Sequence, residues 1–373
     1  MDFELSAEQA MLKDSVERFI QDNYAFSQWQ ALAGSDLGYS ANNWKTFAEM
    51  GWLMLPFAEE NGGLGGSVVD VAVVTEALGA GMTLEPLMSS VLLGGKLVEY
   101  LGDEIQKEAI LGAVAEGTKT LALAYGEPAA RFDLSFAETR ARKSEAGYVL
   151  IGRKSVVLHA ASADGLIVIA RTAGEADDVA GISAFLVEPD APGLRCQDYP
   201  LVDGGRASDV FLADTPAELL GEEGTALAAL QRVIDEATCA VCAEAVGAMG
   251  WVLEVTKDYT ATRNQFGKAI GDNQVIQHRL VDMFTAVEEA KAITDMTVMR
   301  VAEGAENASA QVSAMKAKVG EAARFVGAQG VQLHGGIGMT DEYPIGHYFK
   351  RLMALDVMFG DTAHHLNRFA ETV

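Results

Sequence analysis

Three textures of hydrophobic and polar positions follow one another along the chain. After Ser6 and Gln9, whose spacing is that of a capping box, Met11, Leu12, Val16, Phe19 and Ile20 recur at helical period. A second helix is predicted around Trp44 to Met50, ending before Pro56, and Asn61-Gly62-Gly63-Leu64-Gly65-Gly66 reads as a turn cluster. Val68 to Gly81 is apolar on most faces and predicts a helix buried in a bundle. After Gly117 the period shortens. Leu121 to Ala124, Tyr148 to Ile151, Leu166 to Ala170, Ile182 to Val187 and Asp209 to Leu212 are short apolar or alternating runs bounded by Gly, Asp and Pro, as expected of strands in an antiparallel sheet or small barrel. From Thr225 helical spacing returns in three long stretches, about Leu227 to Arg263, Val275 to Gly304 and Ser309 to Leu333, with few turn residues between them.

The expected architecture is therefore α+β. It comprises an N-terminal helical domain over residues 1–118, a middle antiparallel β domain over 119–216 and a C-terminal four-helix bundle over 217–373. Composition changes this picture little. Of 373 residues 49% are hydrophobic and 22% charged, which suits a folded chain and not a disordered one. A net charge of −25, from 28 basic and 53 acidic residues, argues against nucleic-acid and anionic-membrane partners. No unbroken apolar run reaches the roughly 20 residues of a membrane span. The N-terminus has neither the basic start nor the apolar core of a secretory signal. The three cysteines cannot all pair within one chain, and Cys239 and Cys242 lie in an alanine-rich helical run; they read as buried residues of a reducing, cytoplasmic protein. No further ligands stand near them at metal-binding spacing, so no metal is expected.

The candidate chemistry lies in the last third. Arg263-Asn264-Gln265-Phe266-Gly267 closes the first long helix, and Gln274 follows it. Gln332-Leu333-His334-Gly335-Gly336-Ile337-Gly338 closes the third, and Phe359-Gly360-Asp361-Thr362 lies beyond. A forked guanidinium suits phosphate oxygens, and consecutive glycines let a backbone approach a ligand closely. Together with the helix-sheet-helix order, these blocks resemble the acyl-CoA dehydrogenase family over nearly the whole length. The texture is closest to its heteromeric members, such as the small subunit of pimeloyl-CoA dehydrogenase.

That resemblance implies FAD as cofactor, held by Arg263, Gln265, Phe266, Gln274, Gln332, Leu333, His334, Gly335, Gly336 and Thr362. It implies that the arginine and phenylalanine reach a neighbouring subunit's FAD, that the substrate is an acyl-CoA and that electrons pass to an electron-transfer flavoprotein. It also exposes departures. Where the family has Thr-Glu-Pro-Gly-x-Gly-Ser-Asp, this chain reads Gly126-Glu127-Pro128-Ala129-Ala130-Arg131-Phe132-Asp133, and the family's Trp-Ile-Thr-Asn reads Val156-Val157-Leu158-His159. The hydroxyls and the indole that face the flavin ring are gone.

The base is missing as well. Removal of an acyl-CoA α-proton calls for a positioned carboxylate, and the two positions that hold it in the family match Gly360 and Ala237 here. Glu244, seven residues beyond Ala237 and so on nearly the same helix face, is the candidate substitute, although a carboxylate in so apolar a run needs a partner. Glu236 and Asp361 sit one residue from the expected places and read as surface or cap. Two main expectations stand. The chain is either the non-catalytic, half-site subunit of a heterotetramer acting on a bulky or dicarboxylic acyl-CoA, or a self-sufficient homotetrameric enzyme with a non-standard base. Family chemistry without α-proton removal is a third.

Overall fold

The computed structural model describes residues 4–145 and 147–372. Four helices open the chain: α1 (Ala7–Asn23), α2 (Phe26–Ala33), α3 (Ala41–Glu49) and α4 (Val68–Gly79). A nine-residue π-helix, Leu87–Gly95, runs into α5 (Lys96–Leu101), and α6 (Glu104–Ala115) follows. Seven strands come next: β1 (Leu121–Ala124), β2 (Arg140–Ser144), β3 (Gly147–Leu158), β4 (Gly165–Arg171), β5 (Ile182–Val187), β6 (Leu194–Pro200) and β7 (Arg206–Leu220). The 37-residue α7 (Ala226–Thr262) leads through the short hairpin β8 (Asn264–Gln265) and β9 (Lys268–Ala269) into α8 (Gln274–Ala302), α9 (Ala308–His334), α10 (Ile345–Val357) and α11 (Thr362–Ala370).

Local chemistry sets these boundaries. The Ser6 hydroxyl accepts the Gln9 amide at 3.1 Å while the Gln9 side chain accepts the Ser6 amide at 3.0 Å, the reciprocal box read from the sequence. The same device starts α4 with Ser67 and Asp70, and α6 with Asp103 and Gln106.

The chain folds as two compact units. One gathers Met1–Ala31, Ser67–Thr83 and Thr238–Val373; the other gathers Leu32–Gly66 and Leu84–Ala237. In the first, α4 crosses the C-terminal part of α7 backbone to backbone. A Cβ on Gly247 would lie 1.8 Å from the Glu76 carbonyl oxygen, so that crossing admits glycine alone. Around it Lys13 and Lys291 both reach the Glu76 carboxylate, at 3.1 and 2.8 Å.

The second unit is built on the sheet. Its path runs β1-β4-β2-β3-β7-β5, β6 pairs with β7, and an added β4–β5 pairing closes the ring into a small barrel. The core is Leu150, Leu166, Val168, Phe185, Val187, Val210 and Leu212, with β4 buried along its whole length. Two features differ from the sequence reading. The pairings of β1 with β4 and of β2 with β4 are parallel, which the long excursion between those strands permits. Strands β2 and β6 are mostly polar and partly exposed, so they carry no apolar run that would announce them.

Within α7, an 18-residue window is long and apolar enough to cross a membrane by length and composition, and 67% of it is buried inside the protein. Scattered polar residues keep it from being an unbroken apolar run. Its burial accounts for its hydropathy.

Candidate functional site

The hairpin after α7 is made for display. Asn264 pairs with Ala269 and Gln265 with Lys268, leaving Phe266 and Gly267 as a two-residue turn at φ +53° and +81°. Positive φ at both central residues matches the right-handed twist of a hairpin, but an aromatic side chain is disfavoured there. Phe266 nevertheless occupies it with its ring fully in solvent, at 102% relative exposure. Strain and exposure at one residue point to a role outside the chain's own packing. Arg263, Gln265 and Gln274, the first residue of α8, are exposed beside it in sequence.

The end of α9 meets the end of α7. Tyr259 stacks on His334 with ring centroids 4.4 Å apart, and its hydroxyl donates to the His334 carbonyl oxygen at 3.3 Å. Gln332, Gly335 and Gly336 are exposed, whereas Leu333 and His334 are buried. A Cβ added to Gly335 or Gly336 would meet nothing within 4 Å, so internal packing does not demand glycine there; the open space suits a ligand's close approach. The His334 Nδ1 lies 2.7 Å from the Gly330 carbonyl oxygen and donates to it. Its buried Nε2 is then an acceptor with no hydrogen-bond partner among the described residues. Burial lowers the His334 pKa from its ordinary value, keeping that nitrogen unprotonated at neutral pH. A guanidinium, a displayed ring, an open glycine turn and an orphaned acceptor fit the nucleotide half of FAD. Thr362 stands apart from this exposed set: it is 5% exposed and its hydroxyl donates to Asp356 at 2.9 Å.

The segments matching the flavin-ring side lie in the sheet unit. Glu127 accepts the Glu138 and Thr139 amides at 2.7 and 3.0 Å, and the fully buried Lys154 ammonium reaches it at 2.7 Å. Burial opposes its charge, but Lys154 and these amides hold its pKa below the usual carboxylate range. The Ser155 amide bonds the Gly126 carbonyl oxygen at 2.9 Å, pinning the 126–133 turn against β3. The scaffold is intact, with Arg131, Val156 and His159 held at φ +51°, +54° and +54°. Gly126, Val156 and Leu158 offer no polar side chain of their own at these positions. Beside the turn opens a cavity of about 580 Å³ lined by Asp133, Ser135, Val179, Thr225, Leu227 and Gln231 among others.

No carboxylate stands at either position of the expected base: Ala237 is buried, and Gly360 lies in a tight turn. The substitutes are each committed. Arg351 donates to the Glu244 Oε1 through Nε at 2.7 Å, and its terminal nitrogen lies 2.6 Å from the same oxygen. This supplies the partner that an acid in so apolar a run requires. Glu236 takes the Tyr100 hydroxyl on both oxygens, at 2.7 and 2.8 Å, and Arg232 at 3.0 Å. Asp361 caps α11 by accepting the His364 amide at 2.8 Å.

Sequence reasoning did not find Lys316. It is 1% exposed on α9, and its ammonium donates to the carbonyl oxygens of Asp356 at 2.6 Å and Gly360 at 2.9 Å. A signal was available: Lys316 falls on the apolar stripe of Val312, Met315 and Val319, where a solvated lysine does not belong. Among the described residues no group of three or more His, Cys, Asp or Glu gathers at metal-binding distance.

Comparison with known proteins identifies the family. Residues 6–118, 122–214 and 223–373 match the N-terminal, middle and C-terminal domains of acyl-CoA dehydrogenase. The long-chain specific acyl-CoA dehydrogenase of Rattus norvegicus mitochondria is 30% identical over 355 residues, covering 91% of this chain and 80% of that protein. Among solved structures, the steroid ACAD Tcur3481-Tcur3483 is 26% identical with a TM-score of 0.88, over 98% of this chain and 97% of its own. The FAD complex of PigA is likewise 26% identical, with a TM-score of 0.91 over 100% and 99%. The chain thus belongs to the acyl-CoA dehydrogenase family of FAD-dependent oxidoreductases acting on acyl-CoA.

Proposed function

We propose that this chain is the half-site subunit of a heteromeric acyl-CoA dehydrogenase. It lends Arg263, Gln265, Phe266, Gln274 and the Gln332 to Gly336 turn to a FAD whose ring lies in a homologous partner subunit. The observation that carries this reading is an asymmetry. On the nucleotide side Arg263, Gln265, Gln274, Gln332, Gly335 and Gly336 are exposed, and Phe266 is both strained and fully in solvent. The base positions hold Gly360 and Ala237, and the ring-side turn is without hydroxyls. Drift would erode both halves alike. The loss here falls on one half.

When bound, FAD supplies the acceptor for the hydride that leaves the substrate β-carbon. This chain's part is to bind and orient. Arg263 meets phosphate oxygens with its forked donors, Phe266 offers a face for stacking, and the Gly335-Gly336 backbone allows close approach. The α-proton is taken by the partner's carboxylate. A bulky or dicarboxylic acyl-CoA is the proposed substrate, an electron-transfer flavoprotein the acceptor and the cytoplasm the compartment.

The test is flavin stoichiometry. Purified alone, the chain is expected to be colourless; co-expressed with its homologous partner it should yield one FAD per pair of chains. Arg263→Ala should then weaken FAD binding at least about tenfold, the loss of one charge-assisted phosphate contact. A yellow chain that alone holds one FAD and is bleached by an acyl-CoA would refute the reading.

A further inference from the structure

We infer that the segment around Gly360 is a closed latch rather than a catalytic loop short of one carboxylate: the rings of His364 and His365 fill the space at position 360, so that glycine is required there. The inference rests on the half-site reading only in assigning no base to this chain.

The backbone comes first. Phe359 and Gly360 lie at φ +61° and +121°, the second a conformation L side chains rarely adopt. A Cβ built at Gly360 would stand 2.5 Å from the His364 Cδ2 and 2.7 Å from the His365 Nε2, closer than real Cβ contacts come. A glutamate there would have to reverse φ and displace two rings.

The surroundings do not yield easily. His365 is 1% exposed; its Nε2 donates to the Phe359 carbonyl oxygen at 3.2 Å and its Nδ1 accepts from the Ser313 hydroxyl at 3.3 Å. The rings of His364 and His365 meet edge to face, with centroids 5.1 Å apart. Lys316 holds the carbonyl oxygens of Asp356 and Gly360, where α10 ends and its last carbonyls lack intrahelical partners. An ammonium there also complements the negative end of the helix dipole. Thr362 ties to Asp356, and Asp361 caps α11. Three carbonyls of the segment are thus held by buried donors, and the direction in which a base would grow is filled. Restoring a carboxylate at position 360 alone therefore does not restore a catalytic site.

The experiment uses the chain as purified, with its partner where that co-purifies. Gly360→Ala should lower the thermal midpoint by roughly 5 °C or more, a strained φ and a steric clash in a packed site. Adding His364→Ala should recover part of that loss. Gly360→Glu should give no acyl-CoA-dependent flavin reduction beyond the parent's. An unchanged midpoint in Gly360→Ala, or turnover gained by Gly360→Glu, would overturn the inference. If Gly360→Ala alone is insoluble, the double variant decides: soluble supports the latch, insoluble overturns the assignment of His364. Because midpoints are read whether or not flavin is bound, failure here is separate from failure of the stoichiometry test.

Discussion

Replacing Glu244 by glutamine separates a structural acid from a catalytic one. The Glu244 and Arg351 side chains keep 12% and 16% of their exposure, and a terminal guanidinium nitrogen and Nε lie 2.6 and 2.7 Å from the Glu244 Oε1. The substitution preserves volume and removes the charge, leaving a largely buried cation facing an amide. Breaking a buried pair from one side costs about 3–5 kcal/mol, the lower end applying here because an amide oxygen still accepts. At roughly 2–4 °C per kcal/mol for a unit of this size, the thermal midpoint should fall by about 6–12 °C. Differential scanning calorimetry reads this directly. The double variant Glu244→Gln, Arg351→Met should be less damaged than the sum of the single ones, because no unpaired cation remains. In the complex with a partner subunit, acyl-CoA-dependent flavin reduction at a temperature well below the midpoint should be unaffected. A variant with an unchanged midpoint and no flavin reduction would mean that Glu244 is a base after all, and that its tie to Arg351 does not define its role.

Two more outcomes follow from the same geometry. Burial, together with the nearby Lys316 and His364, pushes the His365 pKa down to about 3. The unfolded chain therefore takes up this proton first, so the contribution of His365 to stability is fullest above about pH 6.5 and declines by up to about 1.4 kcal/mol per pH unit below it. His365→Gln should flatten that part of the stability profile measured by urea unfolding; an unchanged slope would show that His365 is not the group responsible. Phe266→Gly should leave the isolated chain as stable as the parent, or about 1 kcal/mol more stable as strain at φ +53° is relieved, while weakening FAD retention in the complex. Loss of stability in the isolated chain would mean that the ring packs within its own subunit.

Much of the fold was legible because its signals are local. The capping pair Ser6 and Gln9, the unbroken period of α7 to α9 and the apolar runs of β4 and β5 each announce an element within a few residues. The parallel pairing of β1 with β4 was not legible, since the direction in which two strands far apart in sequence pair depends on the path of the connection between them rather than on the residues of either strand. The site divides in the same way. Phe266 and the Gly335-Gly336 turn are read from adjacent residues. The tie between Glu244 and Arg351, the hold of Lys316 on the α10 terminus and the rings over Gly360 join positions far apart along the chain, and only the folded protein brings them together. The seven-residue spacing from Ala237 made Glu244 attractive. What spacing could not show was the guanidinium already waiting for it.

The division of the chain into interleaved units bears on its synthesis. Helix α4, buried along most of its length, leaves the ribosome long before the part of α7 that it crosses, because the whole stretch from Leu84 to Ala237 belongs to the other unit and is made in between. At about 5–20 residues per second that interval is on the order of ten seconds. For its duration α4 has apolar faces and no native neighbour from the last third of the chain. Fragments cut at the boundaries of the sheet unit would leave α4 in that state permanently, so this protein is expected to be recovered whole or hardly at all, and slow emergence of its C-terminal third is the stage at which a chaperone would matter most.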